Sequence, residues 1–131
     1  MTIRIVRLGS ERHPNEGPRI GTVRRPPRGV PKVALASRNF YDVWLPNLAP
    51  SDALLKSARA DPAAGDERSW KNFVRKYRGE MNTPDNRALL ATLAVLSRRT
   101  DFSLGCYCVD AERCHRSLLR GLLIENGATI E

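Results

Sequence analysis

The sequence lacks the long apolar segments that membrane and secreted proteins carry. No run approaches the roughly 20 apolar residues that a membrane-spanning helix needs. The first residues, MTIRIVRLGSERH, carry charges throughout and hold no apolar block of signal-peptide length. We therefore expect a cytoplasmic protein without a membrane partner, and 131 residues are the size of one domain.

Two common catalytic patterns are also missing. There is no glycine-rich loop of the kind that cradles phosphates, and two histidines are too few to support a Ser-His-Asp set without guesswork. Cysteine is scarce as well: all three cysteines lie between residues 106 and 114. A disulfide framework would spread its cysteines along the chain to close useful loops. We therefore expect reduced thiols in a reducing compartment.

Acidic residues are absent from residue 17 to residue 41. The basic residues of this segment are Arg19, Arg24, Arg25, Arg28, Lys32 and Arg38. The whole chain carries a net charge of +8, from 22 Lys and Arg against 14 Asp and Glu. Such a balance indicates an anionic partner: phosphate, a nucleotide or nucleic acid. A genome rich in G and C, or a solvated basic loop, would account for the same charges without a partner.

The hydrophobic pattern predicts strands first, helices in the middle and a strand-helix-strand unit at the end. Strands are expected at 2–9, 19–25 and 102–108, and residues 39–45 are expected to form either a strand or an extended packing segment. Helices are expected after the N-cap residues Ser51 and Thr83, from Trp70 to Met81, and from His115 to Gly127. A last strand at 128–131 would complete a C-terminal β-loop-α-β unit. We predict a single α/β domain over residues 1–131, with a partly parallel sheet and helices packed on it.

The segment CYCVDAERCHRS, residues 106–117, combines the three cysteines with a histidine and two arginines. Alternation along a strand places Cys106 and Cys108 on one face. Cys114, His115, Arg116 and Ser117 would begin the following helix, where free amides and the dipole lower a thiol pKa and attract anions. We predict Cys114 and His115 as catalytic residues and Arg116 and Ser117 as anion-binding residues.

The same cysteines are compatible with metal binding, with plain packing or with sulfur transfer. The spacing Cys-x-Cys-x5-Cys-His differs from the paired knuckles of structural zinc sites, so we predict no metal ligand. Cys106 and Cys108 would also serve as small buried hydrophobic residues of the sheet. A phosphatase loop would require arginine at position 114, where this chain has cysteine. A rhodanese-type loop is loosely similar, and it leaves sulfur transfer as a minor hypothesis.

Several separated motifs resemble a known family. GCYCVDAERCHRSLL is similar to the signature of the domain of unknown function 488 (DUF488) family. RRPPRGV, residues 24–30, and WLPNLAPS, residues 44–51, resemble its YeaO-like branch, as does the aromatic pattern of the helix from Trp70. The resemblance covers about residues 19–125. Val23 and Pro26 depart from it, since that branch has Asp and Trp there.

The resemblance implies a fold and a site without naming a reaction. It adds Arg24 and Arg28 to the predicted anion-binding residues, which would form one pocket with Cys114, His115 and Arg116 if the two motifs meet in space. The first hypothesis is an enzyme that binds a phosphate-bearing or nucleic-acid-derived ligand there. The alternative is a non-catalytic nucleic-acid-binding module that uses residues 17–41, and a metal-binding or sulfur-handling protein is the third.

The sequence identifies no cofactor, substrate, reaction or oligomeric state.

Trp70, Phe73 and Tyr77 could stack on bases, but their helical spacing favours a role in the core.

Overall fold

The strands of the protein form one parallel sheet. The computed structural model describes residues 1–62, 65–108 and 113–131. Its strands are β1 (Ile3–Arg7), β2 (Arg19–Gly21), β3 (Val43–Trp44) and β4 (Phe102–Cys106). Their order in the sheet is β1-β4-β2-β3, and every pairing is parallel. The predicted α/β class with a partly parallel sheet is confirmed.

Strand β4 lies inside the sheet and all five of its residues are buried. A side chain at Gly105 would collide with its neighbours, because an added Cβ would lie 2.7 Å from both the Leu8 side chain and the Val6 carbonyl oxygen. Glycine therefore permits β1 to approach β4 closely just before Cys106. Since all the strands are parallel, the loops that follow β2, β3 and β4 leave from the same edge of the sheet.

The described residues hold four α-helices, and the polar residues that precede three of them cap their N-termini. The helices are α1 (Asp52–Ala60), α2 (Glu67–Met81), α3 (Pro84–Ser97) and α4 (His115–Glu125). As predicted, the Ser51 and Thr83 side chains accept hydrogen bonds from the amides three residues later. Asp66 caps α2 in the same way. Gly127 follows α4 with a φ of 84°, the left-handed conformation that ends helices.

The apolar faces of the helices and the sheet form the main core, which includes Ile3, Leu48, Tyr77, Leu104, Leu119 and Leu123. A second, smaller cluster lies beside it and contains Leu8, Val23, Tyr41, Cys106 and Cys114. Two of the three cysteines are therefore part of the packing of the sheet edge.

The strands are shorter than predicted. β2 ends at Gly21. β3 has only two residues, because Asn39 takes a left-handed φ of 65° and the Phe40 amide turns back to the Leu35 carbonyl, so residues 39 and 40 do not extend the strand. The last predicted strand is reduced to one parallel bridge between Ile130 and Ile3. Within the described residues, none of the helices combines the length and apolar character needed to cross a bilayer.

Candidate functional site

The end of β4 and the beginning of α4 bring the sulfur atoms together. Cys106 is the last residue of β4, and Cys114 is the N-cap residue of α4. Their Sγ atoms lie 2.9 Å apart, and both residues are buried. Cys108 is exposed, and its thiol hydrogen bonds with the thiols of both other cysteines. The predicted shared face of Cys106 and Cys108 therefore points toward the start of α4.

His115 has a defined tautomer. Its Nε2 lies 2.7 Å from the carbonyl oxygen of Thr22 and 3.3 Å from the Thr22 Oγ1. A carbonyl oxygen only accepts, so Nε2 carries a hydrogen and donates it. The Thr22 hydroxyl in turn donates to the Gly105 carbonyl at 3.0 Å. In the neutral ring the lone pair is therefore on Nδ1, which lies 3.6 Å from the Cys114 Sγ.

The three thiols differ in acidity because of their hydrogen bonds. Hydrogen bonds from Cys106 and then from Cys108 hold the pKa of Cys114 far below its usual range, and His115 adds to this against the effect of burial. The pKa of Cys106 is raised by its hydrogen bonds with Cys108 and Cys114 and by burial. Cys106 therefore keeps its proton and donates it, while Cys114 is the thiol that ionises.

The same atoms form a possible ligand set for a metal ion. The ligand atoms of Cys106, Cys114 and His115 lie within 4.8 Å of one another. Two thiolates on one tetrahedral zinc, with bonds of about 2.3 Å, would lie about 3.8 Å apart. The 2.9 Å contact between the sulfurs is shorter. The two cysteine side chains would therefore have to move apart to share an ion.

A cleft of about 300 Å³ opens onto this cluster. Cys108, Cys114 and His115 contribute to its lining, together with the Trp70 and Phe73 side chains of α2. Trp70 stacks on Phe73 with ring centroids 5.6 Å apart and planes 13° apart. The guanidinium carbon of Arg113, which also lines the cleft, lies 5.6 Å from the centre of the Trp70 ring. The cleft thus combines a thiol, an imidazole, an aromatic wall and a cation.

The arginines predicted from the family resemblance lie outside this lining. Arg24 is half-buried and donates to the backbone carbonyls of Ala49 and Pro50 at 3.1 Å each. Pro50 lines the cleft, so Arg24 supports the cleft wall from behind. Arg28 is exposed and is not among the lining residues. Arg24 therefore contacts the cleft wall through Pro50, and Arg28 does not line the cleft.

Arg116 and Ser117 surround the first turn of α4. Arg116 is buried, and its Nη2 donates to the Cys108 carbonyl. Its buried Nε has no hydrogen-bond partner in the part of the chain that the structure describes. The Ser117 hydroxyl donates to the Cys114 carbonyl at 2.9 Å. Ser117 thus holds the backbone at Cys114, and the Arg116 guanidinium places a positive charge beside the Cys108 carbonyl.

Sequence reasoning missed several residues of the site. Thr22 orients the imidazole through its carbonyl group, and no side-chain pattern could have indicated this. Trp70 and Phe73, which are expected in the core, are half-buried: Phe73 packs against the core, and both residues also line the cleft. Trp44, the first residue of the family-like segment 44–51, is 42% exposed and donates to the Val23 carbonyl. Asp110, an acidic residue of the segment 106–117 that could cap the final helix, lies outside the described residues.

The fold and the site define a small α/β protein with a cysteine-histidine pair at the N-terminus of a helix, at the carboxyl edge of a parallel sheet. A family model described as the active DUF488-N3 subclade matches residues 3–127. The chain belongs to the DUF488 family, as its motifs indicated. No curated protein and no solved structure matches the chain significantly.

Proposed function

We propose that the chain is a thiol-dependent enzyme that acts on a small anionic ligand, one that carries phosphate or derives from nucleic acid. Cys114 is the nucleophile and His115 is its base. The observation that carries this proposal is the orientation of His115: Thr22 occupies Nε2, and the Nδ1 lone pair faces the Cys114 sulfur. A nucleophile, a base and a group that orients the base are the parts that covalent catalysis by a thiol requires.

The surroundings of Cys114 favour the thiolate. Nδ1 accepts the thiol proton, and the S–H groups of Cys106 and Cys108 donate to the resulting anion. The N-terminus of α4 adds the positive end of a helix dipole. A thiolate stabilised in this way is present at neutral pH, whereas an ordinary cysteine with a pKa of about 8.5 is mostly protonated there.

The proposed ligand class rests on the charges around the cleft. Arg113 lines the cleft, and the guanidinium of Arg116 lies buried next to the start of α4. The Trp70 ring offers a flat apolar surface of the kind on which planar rings stack. An anionic group near the arginines and a ring against Trp70 would fill a cavity of about 300 Å³.

The test is the rate of alkylation of each cysteine by iodoacetamide, measured by mass spectrometry from pH 5 to pH 9. We expect Cys114 to react at a rate that stays constant as the pH falls below about 8.5. Cys108, whose pKa is raised, should react only at alkaline pH despite its exposure. Inorganic phosphate or a nucleoside monophosphate should slow the reaction of Cys114 alone.

Two variants serve as controls. Cys114→Ser should remove the reaction at neutral pH, and Cys108→Ser should leave it in place. An alkylation profile of Cys114 with an ordinary pKa of about 8.5 would contradict the proposal. Protection by phosphate that persists in Arg113→Ala would contradict the place we assign to the anion.

A second candidate, nucleic-acid binding by residues 17–41, has one supporting observation. Arg28, Lys32 and Arg38 are exposed, and no ion pair engages them among the residues that the structure describes. Their charges are therefore available to phosphates. Binding of a labelled oligonucleotide should then weaken steeply with salt, weaken in Arg28→Ala, and stay unchanged in Cys114→Ser.

A further inference from the structure

The contact between Cys106 and Cys114 suggests a use that the proposed function does not include. In the proposed function Cys106 serves Cys114 only as a hydrogen-bond donor, and a serine hydroxyl at the end of β4 could donate in its place. Yet the Cys106 Sγ lies 2.9 Å from the Cys114 Sγ, and the two residues are held by different elements, β4 and α4. This contact leaves the two sulfurs well placed for a bond to form between them.

We propose that Cys106 and Cys114 form a redox pair that reduces hydroperoxides, with Cys114 as the attacking thiol and Cys106 as the resolving thiol. The inference rests on the proposed function in one respect, because it uses the same nucleophile. It adds a class of reactant, the hydroperoxides, and a role for Cys106.

In the first step the Cys114 thiolate attacks one oxygen of the hydroperoxide, and the O–O bond breaks. Cys114 becomes a sulfenic acid, and the leaving alkoxide, or hydroxide when the reactant is hydrogen peroxide, takes a proton from the His115 imidazolium. The cleft gives a small peroxide access to Cys114. Ionised thiols are the ones that undergo this oxidation.

In the second step the Cys106 sulfur attacks the sulfur of the sulfenic acid. The S–O bond breaks, the S–S bond forms, and the Cys106 proton leaves with the hydroxide as water. The sum is two thiols and one hydroperoxide converted to one disulfide, one alcohol and one water, so the two electrons come from the dithiol. Cys106 holds its proton in the resting protein, which supplies this step with the proton that it needs.

Cys108 is the other thiol that could resolve the sulfenic acid. It is exposed at the mouth of the cleft, whereas Cys106 is buried against Cys114. The contact of 2.9 Å joins the sulfurs of Cys106 and Cys114. A bond between Cys106 and Cys114 would form inside the packed cluster, out of reach of bulky thiols.

The experiment treats the reduced protein with one equivalent of hydrogen peroxide and maps the product by mass spectrometry of non-reduced peptides. We expect a loss of two hydrogen atoms and one cross-linked pair that joins Cys106 to Cys114. Dithiothreitol should reverse it. Cys108→Ser should give the same product, and Cys106→Ser should instead give a Cys114 sulfenic acid that dimedone traps. Cys106→Ala provides a second variant of the resolving position.

Each remaining outcome has a distinct meaning. A disulfide between Cys108 and Cys114, or a sulfinic acid on Cys114 in the wild-type chain, would overturn the role of Cys106 and leave the nucleophile in place. A Cys114 that alkylates rapidly with iodoacetamide at neutral pH but resists peroxide would overturn the redox inference alone. A Cys114 inert to both reagents would overturn the proposed function as well.

Discussion

Two regions of this chain carry an unusual concentration of chemically active side chains, and they fold in opposite ways. In residues 102–117, the side chains of a strand end and a helix start converge on one cleft. In residues 17–41, the arginines diverge: Arg19 is fully buried, Arg24 holds a turn and Arg28 is exposed. A strand followed by a helix has a fixed geometry, so spacing along it determines which side chains meet. A proline-rich loop has no such period, and similar arginines take different roles along it.

The largest loss of stability is expected when Arg19 is replaced. Its guanidinium binds the buried Glu16 carboxylate and donates to the carbonyls of Ser10 and Asn39 at 2.8 Å and 2.7 Å. Arg19→Ala would leave that carboxylate buried without its partner, so we expect the free energy of unfolding to fall by about 3–5 kcal/mol in urea denaturation. Arg28→Ala, at an exposed position, should change it by less than about 0.5 kcal/mol.

The double variant Arg19→Met with Glu16→Gln sharpens this comparison. It removes both charges together, so the unpaired buried carboxylate does not arise and the loss should be smaller than for Arg19→Ala. Equal losses for Arg19→Ala and Arg28→Ala would show that the basic segment acts as one solvated loop, contrary to the buried network.

The next effect is expected at Gly105, in the convergent region. Gly105→Ala places a methyl group 2.7 Å from the Leu8 side chain and the Val6 carbonyl, so β1 must move away from β4. We expect a loss of about 1–3 kcal/mol in the free energy of unfolding. Gly121→Ala is the matched control, because it lies in α4 with nothing within 4 Å of the added Cβ. That change should stabilise the protein by about 0.5–1 kcal/mol.

The sequence predicted the convergent region better than the divergent one, for a physical reason. The class of fold, the caps at Ser51 and Thr83, and the position of Cys114 at the start of α4 all follow from local rules of spacing and capping. The orientation of His115 by Thr22 depends on two parallel strands that are adjacent in space and far apart in sequence, and no local pattern contains that information. The fate of each arginine depends on long-range packing in the same way.

A smaller effect is expected when the base is removed from the convergent region. His115→Gln keeps a donor for the Thr22 carbonyl but removes the lone pair that faces Cys114. The low pKa of Cys114 means that its thiolate persists as the pH falls below the ordinary value of about 8.5. Loss of the His115 contribution raises the pKa of Cys114, so the thiolate is protonated at a higher pH. If the pKa of Cys114 rises above 6, its alkylation at pH 6 should slow by about tenfold for each further unit of the rise.

The control for this change is His13→Gln, since His13 lies exposed in a loop and its Nδ1 accepts a hydrogen bond from the amide of Asn15. It should leave the alkylation profile of Cys114 unchanged. An unchanged profile in His115→Gln as well would assign the acidity of Cys114 to the neighbouring thiols alone.

The smallest expected effect is a difference in stability between variants of two adjacent arginines, Arg24 and Arg25. Arg24 donates to the carbonyls of Ala49 and Pro50 from a half-buried position, whereas Arg25 forms an exposed ion pair with Asp52 at 3.0 Å. We expect Arg24→Ala to cost about 1 kcal/mol of unfolding free energy, and Arg25→Ala less than about 0.5 kcal/mol.

The reaction of Cys114 then tests whether the two regions communicate. Pro50 lines the cleft, so loss of the Arg24 hydrogen bonds should loosen that wall and change the alkylation rate of Cys114 at pH 7, with Arg25→Ala as the control. A change in stability without a change in alkylation would make Arg24 a support of the fold alone. A change in both would mean that the basic segment, although its arginines do not line the cleft, shapes the place where the thiol reacts.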